Sequence, residues 1–145
     1  MKGRDNARTP IQWDATEHAG FTTGTPWLKV NPNYPTINVE QALADPDSIF
    51  YYYKQLIALR HQHDVIVYGE YALILEEEMD IYAYTRTYEN ETWYIYCSFS
   101  QEEVTVPLSH DTSDPVIGNY NESPAGSKEE LVLRPYEAIV YRTAR

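Results

Sequence analysis

The chain has 145 residues, of which 43% are hydrophobic, and its formal net charge at pH 7 is −11. A chain of this length can bury one modest core, which predicts one domain with a short attached piece. The acidic balance argues against nucleic acid and anionic membranes as partners, because binding to phosphates requires clustered lysine and arginine.

Two further features limit where the protein is expected to act. Cys97 is the only cysteine, which excludes a disulfide within the chain. No apolar run approaches the roughly 20 residues that would span a bilayer, and Met1 and Lys2 do not begin a secretory signal. These features predict a protein of the reducing cytoplasm, with Cys97 as a buried structural thiol.

The opening stretch of the chain carries its densest chemistry. Arg4 and Arg8 are interleaved with Asp5 and Asn6, residues that favour ordered turns. Pro10 disfavours helical backbone just before it, so Arg8 is predicted to lie on extended or turning backbone. A guanidinium there could donate hydrogen bonds to hydroxyls or to a carboxylate. Loop arginines are also common ion-pair partners, so the residues alone leave a structural role and a ligand-binding role open.

A long loop is predicted next. Residues 14–37 are rich in glycine, proline and threonine, a composition that excludes regular secondary structure. Aromatic anchors, among them Phe21 and Tyr34, predict that this loop is ordered and packs against something larger. Trp13 and Trp27 could stack on a sugar ring or simply pin the loop in place.

Two helices are predicted after the loop. Asn38, followed three residues later by Gln41, predicts an N-capped helix over residues 39–44. Asp45, as the N-cap before a proline, predicts a second helix that runs to about residue 63. The apolar positions 49, 50, 53, 56 and 57 follow the helical spacing of 3.6.

These helices offer no metal site. His61 and His63 are two residues apart and therefore point from different faces of the predicted helix, so they cannot ligate one metal ion together. No metal and no cofactor are expected.

From Val65 onward the hydrophobic period changes to two, which predicts β structure. The strand over residues 92–99 is aromatic on both faces and is predicted to be a central strand covered on both sides. Several short strands at this spacing predict an antiparallel sandwich or Greek-key module. The predicted strands cover residues 65–68, 71–75, 81–88, 92–99, 103–107, 115–119, 130–133 and 138–143.

The same residues carry a resemblance that covers essentially the whole chain. The segments are RDNARTPIQW (4–13), HAGFT (18–22), PW (26–27), VNPNY (30–34), DSIFYYY (47–53) and residues 131–141. Together they resemble bacterial oligo-1,6-glucosidases and related α-glucosidases of the α-amylase superfamily, glycoside hydrolase family 13. Ile11, where the family usually has methionine, is a departure that conserves side-chain volume. The match is to the C-terminal quarter or so of such an enzyme.

The resemblance implies a mainly β fold class with a barrel remnant. Residues 1–64 would be the end of a catalytic (β/α)8 barrel, consisting of its last loop and closing helices. Residues 65–145 would be an antiparallel Greek-key β-sandwich, called domain C in the family. Active sites of such barrels are built from the loops that follow the strands, so the opening loop would lie at the mouth of the pocket.

The resemblance also implies a function, namely the C-terminal part of an intracellular α-glucosidase that hydrolyses terminal α-1,6-linked glucose in isomalto-oligosaccharides. The retaining mechanism requires two carboxylates about 5 Å apart. The family draws these, and a third Asp, from segments upstream of the arginine loop. Their motifs do not occur here, so no catalytic residue is predicted and the chain alone is predicted to be inactive.

One binding residue carries over from the resemblance. Arg8 stands where the family places an arginine that hydrogen-bonds the non-reducing-end sugar, and it is the predicted substrate-binding residue. Arg4 is predicted to be structural. The implied partners are an α-glucoside oligosaccharide and the N-terminal barrel. Two alternatives stay open: the same region of a trehalose-6-phosphate hydrolase, or a non-catalytic β module associated with carbohydrate.

Overall fold

The computed structural model describes residues 8–144, and these fall into two compact units that divide between Ile57 and Ala58. The first unit is mostly irregular, and the second contains all the strands. The predicted domain division after residue 64 stays a prediction. Within the described residues, no helix is long and apolar enough to cross a membrane.

The first unit begins with a loop that runs to Asn38. Within it, Glu17–Gly20 forms a short 3-10 segment, and a second turn lies at residues 32–36. Helix α1 (Val39–Ala44) follows, and Asn38 caps it as predicted: the side-chain oxygen of Asn38 accepts the N–H of Gln41 at 2.9 Å. This bond satisfies one of the N–H groups that have no partner inside the helix.

Helix α2 (Ile49–Gln62) starts three residues later than predicted. The prediction that Asp45 is its N-cap is wrong, because Asp45 instead forms a tight turn. Its side chain accepts the N–H of Asp47 at 3.0 Å, and its carbonyl accepts the N–H of Ser48 at 3.1 Å. The helix then begins with the Tyr52 N–H donating to the Ser48 carbonyl.

In the second unit, the end of helix α2 is followed by a short helix, α3 (Asp64–Tyr68), where a strand over residues 65–68 was predicted. The β-branched residues of this segment favour a strand locally. A long-range contact overrides that preference: the Arg86 guanidinium donates to the carbonyls of Val65, Ile66 and Val67. The carbonyls of Ile66 and Val67 are end carbonyls that a helix leaves unpaired, whereas that of Val65 also accepts the Gly69 N–H at 3.1 Å. The Val65 side chain is fully buried.

Seven strands complete the fold of the part of the chain that the structure describes. They are β1 (Glu70–Ile74), β2 (Ile81–Tyr88), β3 (Glu91–Ser98), β4 (Val104–Pro107), β5 (Pro115–Gly118), β6 (Glu130–Leu133) and β7 (Ala138–Ala144). All pairings are antiparallel, in a five-stranded sheet of order β1-β2-β3-β7-β5 and a two-stranded sheet of β4 and β6. β3 lies in the middle of the larger sheet, as its aromatic pattern predicts.

The core of this unit lies between the two sheets. Side chains at alternate positions of β2, β3 and β7 pack against β4 and β6. The buried members are Ile81, Ala83, Tyr96, Val106, Leu131, Leu133, Ile139 and Tyr141. On the opposite face of the large sheet, Trp93 is buried and its ring contacts that of His63 at 4.9 Å between centroids. The fold is therefore mainly β, a two-sheet antiparallel sandwich that follows helices, as predicted.

Candidate functional site

Arg8, the predicted binding residue, lies on exposed, irregular backbone at the start of the described chain. Within residues 8–144, no hydrogen bond or ion pair holds its guanidinium. Pro10, two residues later, is buried and anchors the chain behind it. Arg4 and Asp5 lie outside the described residues, so the structural role predicted for Arg4 stays a prediction. The structure thus presents a planar set of five donors at the edge of an anchored loop.

The loop behind Arg8 is joined to the start of helix α1. The carbonyl of Gln12 accepts the Val39 N–H at 2.9 Å, and the carbonyl of Trp13 accepts the Glu40 N–H at 3.0 Å. These N–H groups belong to the first turn, where a helix provides no internal partner. The loop and helix α1 therefore complete each other's hydrogen bonding.

Side-chain amides extend this framework. The Nε2 group of Gln12 donates to Asn33 Oδ1 at 3.1 Å and to the carbonyl of Ile37. Asn38 is buried, and its Nδ2 group donates to the carbonyl of Tyr34 at 2.8 Å. The sequence pattern indicates the Asn38 cap, but it carries no signal for the contacts of Gln12, which join residues 21 and 25 positions apart.

The next turn reverses the chain with unusual backbone angles. His18, Ala19 and Gly20 have φ values of 57°, 60° and 65°, in the left-handed region that L-residues rarely adopt. The Trp13 N–H donates to the Ala19 carbonyl at 2.8 Å, which closes the turn. Ala19 itself is fully buried, so packing offsets the backbone strain.

Asp14 is the carboxylate of this turn. Its Oδ1 accepts the hydroxyl and the backbone N–H of Thr16. The Thr16 hydroxyl, and then its N–H, lowers the pKa of the Asp14 carboxyl. An ionised carboxylate that holds its own turn in this way is a structural group rather than a proton donor.

Aromatic and apolar groups lie exposed around the loop. Trp27 is 82% exposed, and Trp13 and Phe21 are also exposed. Helix α2 has no buried residue, and the members of the apolar stripe predicted for it are all exposed. Ile49 is 86% exposed, and the other exposed members are Phe50, Tyr53, Leu56 and Ile57. Exposed apolar surface of this extent is typical of an interaction face.

A second titratable cluster lies around His110 in the second unit, which contains the strands and is called the β unit below. Its ring stacks in parallel on Tyr94 with 3.6 Å between centroids, and its Nδ1 lies 3.5 Å from the Tyr96 hydroxyl. Its Nε2 is buried and has no partner within residues 8–144. Burial lowers the pKa of His110 and raises that of Tyr141, whose ring also contacts His110, to about 12. Sequence reasoning missed this cluster, since its members come from separate strands and a loop.

The remaining candidates for chemistry are weak. Among the described residues, no group of three or more His, Cys, Asp or Glu side chains converges to hold a metal ion. His63 packs on Trp93 rather than facing His61. Burial raises the pKa of the Cys97 thiol, which makes it a poor nucleophile. The chemistry of the described chain is therefore concentrated in the donors and aromatic surfaces of the opening loop.

Comparison with known protein families divides the chain into two parts. A family model described as "Alpha amylase, catalytic domain" matches residues 1–69. A second, described as "Maltogenic Amylase, C-terminal domain", matches residues 71–140.

Individual relatives match nearly the whole chain. It is 54% identical over 144 residues to the oligo-1,6-glucosidase of Halalkalibacterium halodurans, covering 97% of this chain and 26% of the relative. The crystal structure of trehalose-6-phosphate hydrolase from Bacillus licheniformis has a TM-score of 0.91 at 43% identity, covering 99% of this chain and 27% of that one. The crystal structure of isomaltulose synthase from Klebsiella sp. LX3 has a TM-score of 0.89 at 40% identity, and the match covers 96% of this chain and 25% of that one. The chain spans about a quarter of the length of these proteins.

Proposed function

Because the chain belongs to the α-amylase family, glycoside hydrolase family 13, we propose that it is the C-terminal part of a glycosidase that removes terminal α-1,6-linked glucose from isomalto-oligosaccharides. The observation that carries this proposal is the identity of more than half of its residues with an oligo-1,6-glucosidase. The reaction is retaining hydrolysis, and its two carboxylates come from the part of the enzyme that precedes these residues.

In this proposal the two parts of the chain have different roles. Residues 1–64 end the catalytic barrel, and residues 65–145 form domain C. Arg8 contributes a guanidinium that hydrogen-bonds hydroxyls of the terminal glucose. Two observations support this role: Arg8 is exposed on an anchored loop, and its guanidinium has no protein partner within residues 8–144.

The partner of the chain is then the N-terminal barrel of the same enzyme. The exposed apolar stripe of helix α2 supports this, because burying a large aliphatic or aromatic side chain contributes roughly 1.5–3 kcal/mol. Ile49, Phe50 and Tyr53 lie at the start of this stripe and would contact neighbouring barrel elements.

The runner-up is the same region of a trehalose-6-phosphate hydrolase, which the similarity to the Bacillus licheniformis enzyme favours. Such an enzyme needs Lys or Arg donors for a phosphate, and in the family the feature that separates the two enzymes comes from segments upstream of the arginine loop. The other alternative is a β module that only accompanies carbohydrate-active enzymes. It would need no barrel and no arginine contact.

Joining the chain to two different N-terminal parts tests these alternatives. In one protein the N-terminal three quarters come from the oligo-1,6-glucosidase relative, and in the other they come from the trehalose-6-phosphate hydrolase. The readout is kcat/KM on isomaltose or trehalose 6-phosphate, expressed relative to the same barrel with its own C-terminal part. We expect near-complete restoration with the first barrel and a smaller fraction with the second.

The opposite order would favour the trehalose-6-phosphate hydrolase, and failure with both barrels would leave the β module. The chain alone is assayed beside the joined proteins with p-nitrophenyl α-glucoside. We expect no turnover from it, since two positioned carboxylates are required. Hydrolysis by the pure chain would contradict the proposed division of the active site.

A further inference from the structure

Gln12 joins the opening loop to distant segments of its unit by three hydrogen bonds. One amide group, Nε2, donates to Asn33 Oδ1 and to the Ile37 carbonyl, while its backbone carbonyl accepts the Val39 N–H. A single residue therefore joins the loop to the segment before helix α1 and to the helix itself. Glutamate in its place would have the same shape but could not donate, and asparagine would be one methylene too short.

The backbone between Gln12 and Arg8 is conformationally restricted at Thr9 and Pro10. Pro10 is buried and its φ is set by its ring, and Thr9 before it is kept out of the helical region. We therefore expect a displacement at Gln12 to shift the backbone of Arg8, because Thr9 and Pro10 have little conformational freedom to absorb it.

A second anchor reinforces the first on the far side of Gln12. Trp13 donates its N–H to the Ala19 carbonyl and accepts the Glu40 N–H. The turn around Ala19 and helix α1 thus hold the loop from both sides at Trp13. The Gln12 side chain supplies the remaining link, toward Asn33 and Ile37.

We propose that Gln12 is a positioning residue for the sugar contact of Arg8, an inference that rests on the proposed function. A guanidinium gains affinity from its planar fork only when its donors meet the hydroxyls in the right orientation. The Gln12 amide holds the loop in the position from which Arg8 can reach the terminal glucose. Gln12 itself does not touch the substrate.

The experiment is a double-mutant cycle in the protein joined to the oligo-1,6-glucosidase barrel. The variants are Gln12→Ala, Arg8→Ala and the double variant, assayed for kcat/KM on isomaltose and for melting temperature. Loss of two hydrogen bonds to the loop predicts about a tenfold fall in kcat/KM for Gln12→Ala. In the Arg8→Ala background the same change is expected to have no further kinetic effect, because the residue acts through Arg8. Gln12→Glu is expected to lose at least as much as Gln12→Ala, because its carboxylate faces two acceptors.

The matched control is Gln41→Ala. Gln41 also donates through Nε2 to a loop carbonyl, that of Pro35 at 3.1 Å, but it does not contact the segment that carries Arg8. We expect Gln41→Ala to lower the melting temperature by a similar amount while kcat/KM stays within about twofold. An equal kinetic loss in Gln41→Ala would show that loosening the loop anywhere has the same effect, and would overturn the role of Gln12.

The outcomes separate this inference from the proposed function. If the losses of kcat/KM add in the double variant and Arg8→Ala is impaired by itself, the role of Gln12 is overturned but the sugar contact of Arg8 is not. Normal kinetics of Arg8→Ala overturn the sugar contact and the positioning role with it.

Hydrogen exchange of the Val39 and Glu40 amides gives a readout that does not need activity: Gln12→Ala should speed both and Gln41→Ala neither. Unchanged exchange in Gln12→Ala overturns the inference even if the joined protein is inactive.

Discussion

Arg134 and Glu137 form a two-point ion pair across the turn between β6 and β7. The Glu137 side chain is 1% exposed, and its carboxylate accepts the Nε and Nη2 groups of Arg134 as well as the Arg134 backbone N–H at 2.8 Å. The same guanidinium lies over the Tyr120 ring, 4.0 Å from its centroid, and donates to the Glu122 carbonyl. The hydrogen bond from the guanidinium to Glu137 raises the pKa of Arg134. This pair therefore holds the loop after β5 onto the final turn of the sandwich.

Removing the acidic member should destabilise the β unit strongly. Glu137→Ala leaves the Arg134 charge without its carboxylate and the Arg134 backbone N–H without its acceptor. We expect a loss of about 3 kcal/mol, the low end of the range for breaking a buried pair, because a quarter of the Arg134 side chain stays in water. Urea unfolding measures the loss. Glu122→Ala is the matched control: its side chain is exposed, and we expect a change within about 0.5 kcal/mol.

The His110 cluster should make the stability of the β unit depend on pH. Burial lowers the pKa of the folded His110 below its ordinary value of 6.5, so the unfolded chain binds a proton more readily than the folded one. The stabilising contribution is fully present above about pH 6.5 and is lost as the pH falls below it. Groups that face His110 are Tyr94, Tyr96, Tyr141 and the neighbouring Asp111.

His110→Phe tests this dependence, since a neutral ring of similar shape can keep the stack on Tyr94. Urea midpoints measured between pH 7.5 and pH 5 should fall less steeply in the variant than in the native chain. His61→Phe, at an exposed position on helix α2, should leave the slope unchanged. Equal slopes in the native chain and His110→Phe would show that other groups cause the acid sensitivity.

Arg86 should stabilise the start of the β unit through helix α3. Arg86→Ala removes the donors to the carbonyls of Val65, Ile66 and Val67, and hydrogen bonds of charged groups contribute about 1.5–3 kcal/mol. We expect a loss of that size in urea unfolding, with faster hydrogen exchange in residues 64–69. Arg60→Ala, an exposed arginine on helix α2, serves as the control. A loss of helix protection in the control as well would rule out a specific role for Arg86.

Gly20 should tolerate no side chain. Its φ is +65°, and a Cβ there would lie 2.6 Å from both carboxylate oxygens of Asp14. Gly20→Ala therefore combines backbone strain of roughly 1–2 kcal/mol with displacement of Asp14 from Thr16. Gly24→Ala is the matched control, because its nearest neighbour would be the Thr22 hydroxyl at 3.8 Å. Thermal melting should separate the two variants by several degrees, and equal melting would show that the turn rearranges without cost.

Arg8 should affect catalysis rather than folding. In the protein joined to the oligo-1,6-glucosidase barrel, Arg8→Ala should lower kcat/KM by roughly tenfold to several hundredfold, because each factor of ten corresponds to about 1.4 kcal/mol of lost transition-state binding. Arg8→Lys should recover little, since an ammonium cannot reproduce the planar fork. An early melting transition with near-normal kcat/KM in Arg8→Ala would identify Arg8 as a structural residue instead.

Periodicity and local chemistry alone determined much of this protein. The alternation of period two predicted β2 and β6 at their observed bounds, and the aromatic residues on both faces of β3 predicted its central place. Asn38 was predicted as the cap of helix α1 from its own side chain and the spacing to Gln41. The motif around Arg8 indicated the family. These features depend on neighbours within a few residues, so the sequence contains them directly.

Tertiary structure decided the features that depend on distant partners. The Val65 segment is a helix whose last carbonyls accept the guanidinium of Arg86, about twenty positions away. The contacts of Gln12 and the stack of His110 on Tyr94 likewise join residues that no local pattern associates. A hydrogen bond to a distant group can outweigh local propensities, since strand preferences span only about 1 kcal/mol and an unpaired buried carbonyl costs as much or more.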